Sequence, residues 1–282
     1  VLRVNSYIPL LLKIAAGAVC LLLFLRWFER AQVFIPSRSM DASPAELNRP
    51  FENLTLVTRD EVQIHAWFFP ADPGSPRGGW GILLCHGNAG NLSHRVDLFR
   101  LLLETGVSVL AFDYRGYGLS QGRPSEEGVC QDAMAAYRWL RKRGFAAERI
   151  VALGESLGGA VAAELARREP LGGLILQSTF TSIPDMGAEL FPWLPVRWLG
   201  RIRFDTQSIL PQIKIPVCIM HSRSDTLVPF HHAEKNFAQA NDPKMLFELR
   251  GDHNDALALG SEEYRKGVTT FLDRLSQSDA IP

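Results

Sequence analysis

The chain is short of the features that most often mark a site. Only four cysteines stand in 282 residues (Cys20, Cys85, Cys130, Cys218), far apart and never at a metal-ligand spacing. That argues against a disulfide framework and leaves them as buried thiols. An excess of one charge is also missing. Thirty basic residues balance thirty acidic ones, which gives no electrostatic footprint for nucleic acid. The histidine pairs His86/His94 and His231/His232 have no carboxylate or cysteine at a matching spacing, so no metal is expected. Gly116-Tyr117-Gly118 lacks the third glycine of a dinucleotide loop. Internal repeats and low-complexity segments are missing as well.

Long apolar runs are scarce, and residues 7–28 are the one candidate for crossing a membrane. As a helix these 22 residues would span about 33 Å, the thickness of a hydrocarbon core. Lys13 lies near one end, where a lysine can snorkel to the headgroups. No small-residue cleavage site follows; Arg26 and Trp27 stand there instead, residue types that anchor at interfaces. The expectation is an uncleaved transmembrane anchor over 1–30, a proline-bearing linker over 31–50 and a domain over 51–282. A chain beginning near Ser39 should then be soluble and active. Arg3 and Lys13 on one side face Arg26, Arg30 and Arg38 on the other, so membrane orientation stays open. Nothing here sets an oligomeric state.

What the chain does have is a run of short apolar segments punctuated by turns. Residues 54–58 and 62–69 read as a hairpin about Asp60-Glu61. Six more strands are expected at 81–85, 107–112, 150–153, 173–177, 216–220 and 245–249. Val129, Ala133, Ala136, Tyr137 and Leu140 recur at helical spacing between Ser125 as N-cap and Gly144 as stop. Tyr264, Val268, Phe271, Leu272 and Leu275 repeat the period near the C-terminus. Strands alternating with helices imply an α/β fold, with a mostly parallel eight-stranded sheet covered on both faces. One insertion, at about 179–212, breaks the alternation and carries Phe191, Trp193, Trp198, Arg201 and Arg203. It reads either as aromatics packed on the core or as a lid over an apolar pocket that rests on the membrane.

The chain is organised around Arg149–Glu164, RIVALGESLGGAVAAE. A hydroxyl is a weak nucleophile and must be aimed outward at a base, which a strained strand-turn-helix elbow achieves. The elbow leaves no room for side chains around Ser156, and Gly154, Gly158 and Gly159 stand there. The Leu157 N–H, at the new helix's start, points to a developing oxyanion.

Ligands in open α/β sheets bind beyond the carboxyl ends of the strands. His86-Gly87-Asn88 follows one strand, and the Asn88 N–H is a second oxyanion donor. Asp225 follows the strand at 216–220, and His253 follows the last strand. Ser156, Asp225 and His253 thus stand in the order nucleophile, acid, base. Asp252 competes as the acid, but a residue adjacent to the histidine rarely reaches its ring. The remaining histidines read as structural or solvated.

The matching stretches HGNAGN (86–91), FDYRGYGLSQGRPSEEG (112–128), GESLGGAVAAELA (154–166), STFTSIPDM (178–186), SDTLVP (224–229) and HND (253–255) resemble the α/β-hydrolase superfamily. Within it the chain is similar to the membrane-anchored serine hydrolases of the yeast bud-emergence type and to vertebrate hydrolase-domain proteins. The resemblance covers the chain from about residue 50 onward. It implies the α/β-hydrolase fold, the same triad and no cofactor. Cleavage of an ester or thioester with an acyl-chain-bearing, small or lipid-like substrate is the expected activity. A peptidase or amidase on the same triad is the alternative enzyme, and an idle membrane-anchored interaction protein the alternative of another class. Asp60-Glu61 departs from the family's Asp-Gly turn, and Ala256-Leu257 from its Thr-Trp.

Overall fold

The structure, a computed structural model, describes residues 8–278. Arg3 and Tyr7, at the outer end of the apolar run, lie outside the described residues. Eight strands build one sheet: β1 (Glu52–Val57), β2 (Gln63–Phe69), β3 (Gly81–Cys85), β4 (Ser108–Phe112), β5 (Ile150–Glu155), β6 (Gly173–Gln177), β7 (Val217–Ser222) and β8 (Lys244–Leu249). Their spatial order is β8-β7-β6-β5-β3-β4-β2-β1. β1 and β2 pair antiparallel, β2 meets β4 antiparallel, and every other pairing in this sheet is parallel. Strands buried on both faces need no alternation of polarity, and β3, β4 and β6 are buried throughout.

Helices cover both faces. α1 is Ile8–Val33, α2 Val96–Glu104, α3 Glu126–Lys142 and α4 Leu157–Arg168. The last two long helices are α8 (His231–Gln239) and α9 (Ala256–Ser278). α3, α4 and α8 pack Val129, Leu140, Val161 and Ala233 on one face. α2 and α9 pack Phe99, Leu102, Tyr264 and Phe271 on the other. α3 forms where its periodic apolar residues require it, with the Ser125 side chain accepting the Gly128 N–H at its start. Between β6 and β7 the expected insertion holds three short helices, α5 (Ile183–Leu190), α6 (Val196–Leu199) and α7 (Thr206–Ile209).

The hairpin turn forms without a glycine. Glu61 takes a left-handed backbone (φ +64°), a conformation that favours glycine. Arg115 braces the turn from the side. Its guanidinium donates to Asp60 at 2.7 and 3.0 Å and to Asp132 of α3 at 2.9 Å. Chiefly through Arg115, the Asp60 carboxyl is held well below its ordinary value.

The stretch expected to be a linker does not hang free. α1 runs on to Val33, and Val33 and Phe34 are buried in the core. Ile35–Pro36 then pairs in parallel with Ala89–Gly90. Apolar side chains so close to the domain gain more from burial than from solvation, and these draw the chain onto the fold.

Candidate active site

β5 ends at Glu155, and the chain turns at Ser156 into α4. Ser156 has φ +52° and ψ −113°, a strained pair that side-chain-bearing residues seldom adopt. The close packing around it explains the glycines. A methyl on Gly158 would collide with the Cys85 and His86 backbone, and one on Gly159 with the Thr179 side chain. The Ser156 N–H donates to Gln177 O at 2.8 Å, which ties the turn to β6. Only 8% of Ser156 is exposed.

The expected triad residues meet. His253 Nε2 lies 3.1 Å from Ser156 Oγ, and His253 Nδ1 lies 2.7 Å from Asp225 Oδ2. Asp225 is buried, and its other oxygen accepts the N–H groups of Leu227 and Val228 at 3.1 and 2.7 Å. Burial would raise this carboxyl. Hydrogen bonds from His221 and His253, the His253 charge and the Val228 N–H together outweigh it and hold it well below its ordinary value. Asp252 does not face the imidazole. Its Oδ1 accepts the backbone N–H of Thr226 and of His253, both at 2.7 Å. It thereby pins the acid loop to the histidine loop. Ser222 Oγ, donating to Gly251 O, makes a second tie between the same loops.

Leu157 is the first residue of α4, so its N–H is among those with no acceptor inside the helix. Asn88 lies in the loop after β3. Its carbonyl accepts the Ile35 N–H at 3.0 Å and the Tyr117 hydroxyl at 2.8 Å. The same loop is held further along: the Asn91 amide donates to Ser37 O and Ser39 O, and the Asp41 N–H donates to Ser93 Oγ. Residues 34–41 therefore strap the loop that carries Asn88. The sequence reading missed this because the contacts join segments about fifty residues apart, and no local pattern signals them.

Three further groups stand around the triad, in contacts that the sequence did not signal. His221 Nε2 lies 3.3 Å from Asp225 Oδ2 and 2.7 Å from Val228 O, so Asp225 is shared between two histidines. The one available signal was its position four residues before Asp225. Arg95 Nε donates to Glu155 Oε2 at 2.7 Å, joining the Asn88 loop to the residue before Ser156. Burial would raise the Glu155 carboxyl, but the Arg95 charge and hydrogen bond hold it below its ordinary value. His86, buried in the same loop, is pushed down to about 4 by its burial, with the Asp113 charge opposing.

A carboxylate does reach the second histidine pair, from another element. Glu189 of α5 lies 2.9 Å from His231 Nε2 and 3.3 Å from His232 Nε2. The Thr181 N–H donates to His232 Nδ1 at 3.1 Å, so the proton of this neutral ring sits on Nε2 and is given to Glu189. Burial lowers the pKa of His232 and favours that neutral form. A metal-bound histidine normally donates through its second nitrogen; here that nitrogen accepts. The group is a hydrogen-bonded tie between the insertion and α8.

Beside His253 a cleft of about 780 Å³ opens between α2 and α9, lined in part by Arg95, Leu98, Leu101, Glu155, Gln177 and Ala256. Trp193 and Trp198, expected either to pack on the core or to cover an apolar pocket, neither pack inward nor border this cleft; they are 76% and 90% exposed.

A family profile described as the alpha/beta hydrolase fold matches residues 82–207. The alpha/beta hydrolase domain-containing protein WAV2 of Arabidopsis thaliana is 34% identical over 273 residues, covering 88% of each chain. The chain belongs to the α/β-hydrolase family. The protein bem46 of Schizosaccharomyces pombe is 34% identical over 245 residues, covering 84% of this chain and 81% of bem46. Among solved structures, an esterase of Pyrococcus furiosus superposes with a TM-score of 0.72 over 86% of this chain and 98% of its own, at 24% identity. At that identity the likeness supports the fold alone. In this hydrolase the strand order and the elbow at the end of β5 follow the family's plan.

Proposed function

We propose that the chain is a serine hydrolase cleaving a carboxylic ester or thioester through an acyl-enzyme. The observation that carries this is the unbroken hydrogen-bond chain Asp225–His253–Ser156 at a strained elbow. His253 Nε2 takes the Ser156 proton as Oγ attacks the substrate carbonyl. The N–H groups of Leu157 and Asn88 receive the oxyanion, helped by the positive end of α4. The tetrahedral adduct collapses, and the leaving group departs with the proton from His253. Water, deprotonated by the same imidazole, then releases the acid and restores Ser156. Asp225 holds the imidazole orientation and stabilises its charged form. A fluorophosphonate probe tests the reading. It should label Ser156 alone, found by peptide mapping, and the Ser156→Ala protein should stay unlabelled and inactive on nitrophenyl esters. Labelling elsewhere, or turnover retained in Ser156→Ala, refutes it.

α1 is long and apolar enough to cross a membrane, and its apolar length is exposed. We read it as a retained anchor rather than a cleaved signal. The supporting observation is that its last turns are built into the domain: Arg26 donates to Leu199 O, Arg30 to Pro124 O, and Glu29 accepts from two backbone N–H groups of the insertion. Retention of the chain in membranes after carbonate washing is the expected result.

A further inference from the structure

The insertion exposes large apolar side chains. Trp198 is 90% exposed, Trp193 76% and Leu190 54%. The structure fixes where these groups lie relative to α1. Arg26 Nη1 donates to Leu199 O at 2.8 Å, and Glu29 Oε1 accepts the N–H groups of Arg201 and Ile202 at 2.6 and 2.9 Å. A file of rings makes the same connection. Trp193 meets Phe191 at 6.3 Å between centroids, Phe191 meets Phe28 at 5.9 Å, and Phe28 meets Phe24 at 6.2 Å. Arg26 is the first charged residue after Lys13, so it marks the end of the apolar length of α1. The insertion is therefore clamped at the level where that helix leaves a hydrocarbon core.

Charge follows the same plan. Residues 26–38 and 193–203 together hold six arginines and one glutamate, in a chain that is neutral as a whole. The Arg201 side chain is exposed, and Arg197 is largely so, although it also lies 3.0 Å from Asp185. Tryptophan with arginine is the pairing that the headgroup layer accommodates, rings at the acyl boundary and guanidinium groups on phosphates.

We propose that Leu190, Trp193 and Trp198 form a membrane-docking surface that dips into the headgroup–acyl boundary of the bilayer that α1 crosses. The inference rests on reading α1 as a membrane span. It makes the insertion a second point of contact with the same bilayer, next to the exit of the first, so the domain is held by two points instead of one.

The test uses the full chain carrying Trp27→Phe, reconstituted in vesicles of equimolar phosphatidylcholine and phosphatidylglycerol. The three other tryptophans, Trp67, Trp80 and Trp139, lie within the domain. Lipids brominated near the glycerol should quench about two fifths of the emission, the share of two tryptophans in five. Adding Trp193→Phe and Trp198→Phe should remove that quenching. Equal quenching with and without the two substitutions, in protein that resists carbonate, overturns the docking surface and leaves the anchor standing. Release by carbonate overturns the anchor and this inference with it. If aqueous acrylamide fails to reach Trp193 and Trp198 while brominated lipid leaves them bright, a second copy covers the surface and the inference is wrong. As a functional arm, Trp193→Ser with Trp198→Ser should raise KM for a long-chain ester held in vesicles several-fold and leave kcat for a soluble acetate ester unchanged.

Discussion

The triad loops and the insertion at 179–212 sit on neighbouring strands yet are built on opposite terms. The side chains of Ser156, Asp225 and His253 are largely shielded from solvent, and the acid and histidine loops are tied to one another by Asp252 and Ser222. The insertion presents its largest rings to solvent and is held at its edges, by Glu189 to α8 and by Glu29 to α1. Chemistry needs groups fixed to a fraction of an ångström, which only a close-packed frame provides. A surface that meets something outside the chain gains from exposed rings, and the fold bears their exposure as long as the edges are held. The comparison predicts that the proposed chemistry and the proposed docking can be altered separately in this hydrolase.

Substitutions in the triad should break the comparison most visibly. Ser156→Ala and His253→Ala should each lower kcat on any ester by about three to six orders of magnitude, soluble or membrane-held. A loss that depended on where the ester is presented would show that the two regions are not separable.

The two candidate acids come next. Asp225→Asn should lower kcat by about three to four orders of magnitude, while Asp252→Asn, which loosens a loop tie, should cost no more than about tenfold. The reverse ranking would move the acid to Asp252. Asp225 also sets a pH signature. Its folded pKa lies below its unfolded one, so its contribution to stability is complete above about pH 4 and fades as pH falls further. The gap in melting temperature between wild type and Asp225→Asn should therefore narrow as the pH falls from about 5 to about 2.

The strap over the Asn88 loop sharpens the comparison at a smaller scale, because it lies outside both regions yet touches the proposed oxyanion donor. A protein beginning at Val33 should keep its kcat. One beginning at Ala42 should lose about ten- to a hundredfold in kcat with KM little changed, as when an oxyanion donor is displaced. The same comparison tests the expectation that a chain beginning near Ser39 is soluble and active, since Val33, Phe34 and Ile35 would be lost with that start. Equal turnover in both proteins would reduce the strap to packing. The smallest effect is expected at the hairpin, which belongs to neither region. Glu61→Gly should relieve its left-handed backbone, raise stability by up to about 1 kcal/mol and leave turnover alone.

Much of the architecture was legible because it is written locally. Each of the eight strands falls where an apolar run between turn residues stands, within about two residues at either end. The elbow was legible for the same reason: Gly154, Ser156, Gly158 and Gly159 are neighbours in sequence, and the strain that demands them is local. Asp225 and His253 were legible through their place after strand ends. What stayed hidden are the contacts that topology alone creates. His221 shares Asp225 because a loop folds back, Glu189 reaches His231 and His232 across two elements, and Arg95 meets Glu155 from sixty residues away. The insertion's tryptophans carry no local sign of whether they face inward, since hydrophobicity is the same in both cases.

The burial of Val33 and Phe34 has a consequence for reach. A flexible tether over residues 31–50 would let the domain wander by roughly 25 Å from the end of α1, as twenty unstructured residues do. With the chain strapped down at once, that freedom is gone. Whatever holds α1 also sets the height and heading of the domain, and the serine of the proposed triad would work only within the shell of space that this rigid arm allows. Lengthening the stretch between Phe34 and Ile35 with glycine and serine would turn the arm into a leash, and the range of molecules within reach would change with no atom of the triad altered.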